Sequence, residues 1–270
     1  MADKTNFNEA ISLLKKNAEQ NGSDIWVPSL NKSVKFKPLT TLHHKKFVKI
    51  LIDSSIFNNA LNLHIYDVIS QTCIDPINID DLTVYDRIAI CLGLRTVNFK
   101  KNYKLIVGEN EEKEIDLNLL LQSAKEKYSN ISLNNKSIKV GDIVVEVGLP
   151  NLKKEKEFDS YIFNKYLVNY DKTNQEQTNQ IFADLMLFSA VTYIQSIAVG
   201  ENIVKFDDLK IHEKIEIISN LNRSIFDPIS EFILECNNQK TSLFSIEVTN
   251  TNNENQNIEI SVDAGFFVDE

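Results

Sequence analysis

The stretch of sequence that decides the fold is IWVPSLNKSVKFKPLTTLHHKK, residues 25–46. Two short runs of alternating apolar and polar residues flank the dipeptide Asn31-Lys32, a pattern that predicts a β-hairpin with its turn at this dipeptide. Pro38 lacks the backbone donor that a sheet ladder needs, so it ends the second run. Thr40 and Thr41 offer hydroxyls that can cap a following helix. The stretch therefore predicts strand, turn, strand and helix.

Helical spacing of apolar residues recurs on both sides of the middle of the chain. Phe7, Ile11, Leu14 and Ala18 follow one another at steps of four, three and four residues, which predicts an amphipathic helix over residues 5–21. Similar spacing predicts further helices at about 41–53, 56–73 and 117–128, and again from about residue 153 onward.

Two short motifs resemble helix-capping boxes, in which an N-terminal hydroxyl and a side chain three residues later satisfy free amides. Thr83 with Asp86 forms the first motif, and Thr173 with Glu176 forms the second. The second motif predicts a long apolar helix that continues to about residue 199. Its run 181–199 contains charged and polar side chains and lacks basic flanks, which favours a buried helix over a transmembrane span.

The middle and the end of the chain favour strands. Residues 137–147 are rich in β-branched side chains that alternate around Gly141-Asp142, and Ser242–Val248 and Ile258–Val262 resemble a second pair of strands. We therefore predict an α+β fold that is mainly helical, with a small antiparallel β insert and a C-terminal β-hairpin. The predicted segments are 1–102 (N-terminal hairpin plus helices), 103–150 (small antiparallel β unit), 151–240 (helical domain) and 241–270 (C-terminal hairpin and apolar tail).

The composition excludes some classes of partner. The net charge of −9 argues against a general nucleic-acid binder, because phosphate contacts need a basic surface. The three cysteines lie far apart and do not form a disulfide framework, which fits a reducing compartment. The first residues lack the apolar region of a signal peptide. We expect neither nucleic acid nor a membrane as a partner.

Motifs of catalytic and cofactor chemistry are missing from the sequence. The seven glycines lie too far apart to form a phosphate-binding loop, and no G-x-S-x-G motif is present. His43-His44 are adjacent helix residues that point about 100° apart, so they do not converge on one metal ion. Beside Lys45-Lys46 they could bind an anion, but a solvated helix face is favoured. Asp80-Asp81 and Asp207-Asp208 precede helix starts, where capping is favoured over binding of a divalent ion. Cys236 is followed by no second metal ligand.

These observations predict no catalytic, metal-binding or cofactor-binding residues and a protein that is not an enzyme. A hydrolase of unknown substrate that uses the Asp80-Asp81 or His43-His44 groups is the least favoured alternative.

Three aromatic residues are the candidates for partner binding. Trp26, the only tryptophan, is either a packing residue of the hairpin or an anchor for a partner, and packing is favoured. Phe266 and Phe267 are adjacent and cannot both face one side of a strand, so at least one needs a second surface. That surface belongs either to another subunit or to this chain folded back, and the two alternatives are equally favoured.

Four segments together carry a resemblance to a known family. They are VPSLNKSVKFKPLTTLHHKKFVK at 27–49, LTVYDRIAICLGLRTVNF at 82–99, IKVGDIVVEVGLPNL at 138–152 and SVDAGFF at 261–267. With them the chain resembles the baseplate hub subunit family of T4-like contractile-tailed bacteriophages. Related phage proteins often carry a pair of cysteines before the C-terminal strands, whereas here only Cys236 is present, so no zinc role is carried over.

The resemblance implies a structural or assembly component of a contractile phage tail baseplate, at the hub. Such a protein acts by protein–protein interaction with other tail and baseplate proteins, is oligomeric within the tail assembly, and is located in the virion after assembly in the host cytoplasm. The alternative is a tail assembly chaperone that is absent from the mature virion. If Phe266 and Phe267 dock on neighbours, deletion of residues 264–270 leaves the fold intact but prevents tail assembly.

Overall fold

Helices predominate in the computed structural model, which describes residues 3–53, 57–99, 102–107, 111–131, 135–249, 255–263 and 265–268. The helices are α1 Asp3–Gln20, α2 Thr41–Asp53, α3 Asn59–Thr72, α4 Val84–Asn98, α5 Leu117–Tyr128, α6 Leu152–Ile162, α7 Gln175–Phe188, α8 Ile211–Ser219 and α9 Arg223–Leu243.

The strands are β1 Ser23–Val27, β2 Lys32–Phe36, β3 Asn102–Val107, β4 Glu111–Asp116, β5 Lys136–Val140, β6 Ile143–Val147, β7 Ile194–Val199, β8 Asn202–Lys205, β9 Ser245–Thr249 and β10 Asn255–Glu259. All of their pairings are antiparallel. The α+β, mainly helical class is confirmed.

The opening hairpin forms as predicted, but its turn starts earlier than the sequence pattern indicated. Val27 pairs with Lys32, so Lys32 is already the first residue of β2. The turn consists of a 3-10 segment over Pro28–Leu30 followed by Asn31, which adopts the left-handed conformation with a φ of 46°. Proline suits the first position of such a turn and asparagine tolerates positive φ, so the local residues explain the shift.

The predicted caps of α2 and α4 are both present. The backbone amide of His43 donates to Thr40 Oγ1 over 3.4 Å at the start of α2. At the start of α4, Thr83 and Asp86 form the complete capping box. The cap of α4 also holds this helix against the hairpin, because the Asp86 carboxylate accepts a 2.7 Å hydrogen bond from the backbone amide of Ser29.

The predicted helix to residue 199 is wrong over its last part. Helix α7 ends at Phe188, and residues 194–199 form β7 between β6 and β8. Its N-cap is Asn174, whose side chain accepts from the Gln177 amide, so the cap lies one residue beyond the predicted Thr173. The β-branched run before Gly200 decides the outcome, because Gly200 has a φ of 60° and turns the chain into β8.

The four strands β5, β6, β7 and β8 form one sheet in that order, whereas β3 and β4 form a separate two-stranded sheet. The predicted turn at Gly141-Asp142 is present between β5 and β6. Strands β9 and β10 pair over Ser245–Thr249 and Asn255–Glu259, so the C-terminal hairpin is offset by about three residues from the predicted strands. The offset arises because α9 continues to Leu243.

Two buried clusters stabilise the fold. The first core is built from β1, β2, α2, α3, α4 and α5 together with residues near the C-terminus, which are Leu243, Phe244, Val248, Ile260, Phe266 and Phe267. The second core is built from β5, β6 and β7 with α6, α8 and α9. The C-terminal Phe266 and Phe267 thus share a core with α2 and α4.

Candidate functional site

Phe266 and Phe267 lie inside the first core and are 0% and 1% exposed. A 3-10 turn over Gly265–Phe267 sets the two rings almost perpendicular, at 88°, so that each enters a different part of the core. Phe267 stacks on Phe47 of α2 with ring centroids 4.4 Å apart. Phe266 packs against Tyr103 of β3 at 5.2 Å.

Polar contacts hold this turn in place. The guanidinium of Arg95 donates to the carbonyl oxygen of Phe266 and lies over the Phe99 ring, 4.4 Å from its centroid. Asp263 Oδ1 accepts a 2.9 Å hydrogen bond from the Phe266 amide. Of the two alternatives for Phe266 and Phe267, the structure agrees with fold-back: the second surface that two adjacent aromatics require belongs to this chain, and neither candidate for partner binding is exposed.

Trp26 is also buried, at 8% exposure, and meets the ring of Tyr128 edge to face with centroids 5.7 Å apart. Its position on β1 directs the indole into the first core. The packing alternative for Trp26 therefore agrees with the structure, and an exposed anchor at this position does not.

The prediction that His43 and His44 lie on a solvated helix face is wrong. His43 is buried, its Nδ1 accepts from the Thr40 amide at 3.1 Å, and its Nε2 faces Gln71 Oε1 at 3.1 Å. The proton of a neutral His43 therefore lies on Nε2, where it can be donated to the amide oxygen. His44 Nδ1 lies 3.4 Å from the Phe267 carbonyl oxygen. Both rings serve packing around the start of α2.

The remaining candidates for a metal or a nucleophile do not converge. In the described parts of the chain, no group of three or more His, Cys, Asp or Glu side chains is arranged to hold a metal ion. Asp81 accepts from the Asn78 side chain at 2.6 Å, and Asp207 pairs with Lys154 at 3.2 Å. Burial raises the pKa of Cys236 to about 11, so its thiol stays protonated at neutral pH.

A buried polar network, which the sequence reasoning missed, joins α3, α4 and α6. Tyr66 Oη donates to Asp159 Oδ2 at 2.7 Å, and Asn59 Nδ2 donates to Asp159 Oδ1 at 2.6 Å. Arg87 Nη1 donates to Tyr66 Oη at 3.0 Å, and Arg87 Nη2 lies 3.5 Å from Glu155 Oε1. No sequence signal links these residues, because they come from three separate segments.

Burial and the charges within this network shift the pKa values of its carboxyl groups. Burial raises the pKa of Glu155 to about 7, and the positive charge of Arg87 opposes that rise. Burial also raises the pKa of Asp159, while the hydrogen bond from Tyr66 opposes the change. Such perturbed groups can mark an active site. Here the Asp159 oxygens already accept from Tyr66 and Asn59, which makes the network a structural clamp between helices.

A cavity of about 210 Å³ lies beside this network, between α3, α4, α9 and residues 259–262. Its charged side chains are engaged: Arg87 pairs with Glu155, and Lys240 pairs with Glu259 at 3.2 Å. Cys91 also lines the cavity, and burial raises the pKa of its thiol to about 12. A protonated thiol is a weak nucleophile, so the cavity offers no activated group for covalent chemistry.

Exposed apolar side chains lie on the outer helices. On α1, Phe7 is 65% exposed, and Leu13 and Leu14 are similarly open to solvent. Leu42 and Ile52 of α2 are also exposed. Apolar side chains at helical spacing that find no cover are typical of surfaces that contact another protein.

Comparison with known proteins gives the family. The model of the family described as T4 bacteriophage base plate protein matches residues 24–268, nearly the whole chain. No curated protein and no solved structure matches the chain significantly. None of the helices within the described residues has the length and apolar character needed to cross a membrane. The chain therefore belongs to the T4 bacteriophage base plate protein family, structural proteins of the phage tail that associate with other tail proteins.

Proposed function

We propose that this base plate protein is a component of the hub and acts through protein–protein contacts within an oligomeric tail assembly. The observation that carries the proposal is the exposed apolar face of α1, where Phe7, Ile11 and Leu14 share one side of the helix. Helix α1 precedes residues 24–268, so it lies outside the part matched by the family model. The proposed role includes assembly in the host cytoplasm and no enzymatic activity.

The physical reason for a protein partner is the free energy of covering these side chains. Burial of one large apolar side chain contributes about 1.5–3 kcal/mol, so Phe7, Ile11 and Leu14 together can anchor a helix in an apolar groove. The charges of α1 beyond this face include Lys15, Lys16, Glu9 and Glu19, which leave it without a strong bias toward a charged surface. An apolar groove on another tail protein suits this helix.

The experiment is quantitative mass spectrometry of purified phage particles and of isolated base plates. We expect the protein in mature particles at a fixed ratio to other base plate proteins, and in hub subassemblies prepared without outer base plate parts. Absence from mature particles, together with presence in assembly intermediates, would favour the tail assembly chaperone and overturn the hub proposal.

A matched pair of variants tests whether α1 makes the contact. Phe7→Ser with Leu14→Ser should reduce incorporation into particles, because the apolar face is lost while the folded cores are untouched. Leu119→Ser on α5 is the control, since Leu119 is 63% exposed and lies on a different helix. Equal incorporation of both variants would show that α1 is not the contact.

A further inference from the structure

Helix α2 is attached to the protein by a narrow stripe. Only His43 and Phe47 among its residues are buried. At about 100° per residue, the side of α2 away from this stripe spans about 120°. This side, called here the outer face of α2, carries Leu42, Lys45, Val48, Lys49 and Ile52, and the structure has all five exposed.

The outer face combines strong apolar exposure with positive charge. Leu42 is 72% and Ile52 is 74% exposed. In the part of the chain that the structure describes, neither Lys45 nor Lys49 forms an ion pair, whereas the neighbouring Lys46 pairs with Asp67 at 3.3 Å. The chain as a whole carries a net charge of −9, so the outer face is a local basic site on an acidic protein.

We infer that the outer face of α2 docks an acidic amphipathic segment of another tail protein. Carboxylates of that segment would face Lys45 and Lys49, and its apolar side chains would cover Leu42 and Ile52. The inference rests on the proposed function, because it presumes that the protein works by contacts with tail proteins. It adds where one contact lies and which chemistry the partner brings.

Two other occupants fit the outer face less well. A second copy docked symmetrically through α2 would bring the lysines of both copies together, and such like charges repel. A lipid bilayer would accept a basic helix with lysines at the edges of an apolar face. Viewed along the axis of α2, Lys45 instead lies near the middle of the outer face, between Ile52 and Leu42. If the outer face were inserted in a bilayer, the ammonium group of Lys45 would therefore enter the acyl layer, which disfavours a membrane as the occupant.

The test is a photo-crosslink from the outer face during tail assembly. Thr41 is exposed at the start of α2, on the same side as Ile52 but outside the proposed contact set. Thr41→p-benzoylphenylalanine in the full chain, irradiated in infected cells, should crosslink to another tail protein. Mass spectrometry of the crosslinked peptide should show at least two Asp or Glu residues among apolar residues at helical spacing.

Charge-reversal variants decide whether the lysines select the partner. Lys45→Glu with Lys49→Glu should lower the crosslink yield about tenfold, because attraction becomes repulsion. Lys125→Glu with Lys139→Glu is the control, since it makes the same charge change at exposed positions on α5 and β5 and should leave the yield unchanged. Equal unfolding midpoints for the variants establish that both are folded, and the milder Lys45→Gln with Lys49→Gln should lower the yield less.

The outcomes divide cleanly. An acidic segment whose crosslink depends on Lys45 and Lys49 supports the inference. A crosslink to lipid, to a second copy or to a segment without acidic residues overturns the inference. It is also overturned if no crosslink forms, or if the charge-reversal variant gives the same crosslink yield as the unchanged chain. The two proposals can fail separately. If the protein is present in particles at a fixed ratio but no crosslink forms from α2, this inference is overturned and the hub proposal stands.

Discussion

Asp86, fully buried at the start of α4, uses one carboxylate to fix both a helix and a loop. It accepts hydrogen bonds from the Thr83 amide at 2.6 Å, from Thr83 Oγ1 at 2.9 Å and from the Ser29 amide at 2.7 Å. The bond to Ser29 spans 57 positions of sequence, so the same side chain caps α4 and holds the loop between β1 and β2. Loss of the carboxylate leaves two backbone amides and one hydroxyl without this acceptor.

We therefore expect Asp86→Ala to lower the free energy of unfolding by about 2–4 kcal/mol, since bonds to charged groups are stronger than neutral ones. Urea denaturation followed by circular dichroism measures the change. Asp80→Ala is the matched control, because Asp80 is exposed and its replacement should cost less than about 0.5 kcal/mol. Similar midpoints for the two variants would contradict the role assigned to Asp86.

Of the interactions that Asp86 makes, the sequence predicted the local one and missed the long-range one. The pair Thr83 and Asp86 is separated by three residues and is recognisable as a capping box, whereas the bond to Ser29 depends on the tertiary fold. The same division holds for Phe267. Its need for a second surface follows from its neighbour Phe266, but the identity of that surface, Phe47, lies 220 positions away in the chain and has no local signal.

At the scale of elements, the C-terminal 3-10 turn over Gly265–Phe267 contacts both α2 and α4 and so holds them together. Phe267 stacks on Phe47 of α2, while Arg95 of α4 donates to the Phe266 carbonyl oxygen. A segment with these contacts belongs to the core, so its removal is no longer expected to leave the fold intact. Of the residues in the deletion 264–270, positions 264, 269 and 270 lie outside the described residues.

We expect Phe267→Ala to lower the free energy of unfolding by about 3–5 kcal/mol, because it leaves a cavity against Phe47. Phe7→Ala on α1 is the control with the same chemical change, and Phe7 is exposed, so the unfolding free energy should change little. Thermal unfolding of both variants distinguishes a core residue from a surface one. If the melting temperatures of Phe267→Ala and Phe7→Ala were equal, the stabilising role of the contact between Phe267 and Phe47 would be contradicted.

Elements were predicted best where a local sequence signal marks a boundary. Helices α2 and α4 have caps and were predicted at their starts, and the Gly141-Asp142 turn fixes β5 and β6. The error at β7 has the opposite cause: residues 194–199 form a short run without a cap of its own, and their strand is completed by pairing with β6 and β8. Short apolar runs fit a helix or a strand, and only the tertiary partner separates the two.

At the scale of the whole molecule, α6 joins the two cores. Leu152 belongs to the first core, Phe158 and Ile162 belong to the second, and Asp159 accepts hydrogen bonds from α3. The polar network around Arg87 and Glu155 therefore lies at the junction. Sequence reasoning could not find it, since a buried ion pair between distant segments has no periodicity and no motif.

Two buried groups give the stability of the molecule opposite responses to pH. Burial lowers the pKa of His64 from 6.5 to about 4, so the unfolded chain binds the extra proton as the pH falls from about 6.5, and stability is lost. Burial raises the pKa of Glu155 from 4.5 to about 7, so the folded chain holds the extra proton below about pH 7. Stability from this group is lost as the pH rises from about 4.5 to 7.

We expect variants to separate these two contributions, each worth up to about 3 kcal/mol across its window. Glu155→Gln keeps the His64 response, so its unfolding free energy should rise from pH 5 to pH 7 more steeply than that of the wild type. His64→Gln keeps the response of Glu155, so its unfolding free energy should fall relative to wild type over the same range. Urea midpoints at pH 5, 6 and 7 measure both slopes. Parallel curves for the two variants would contradict the assignment, whereas curves that diverge in opposite directions from the wild type would show that His64 and Glu155 give stability opposite dependences on pH.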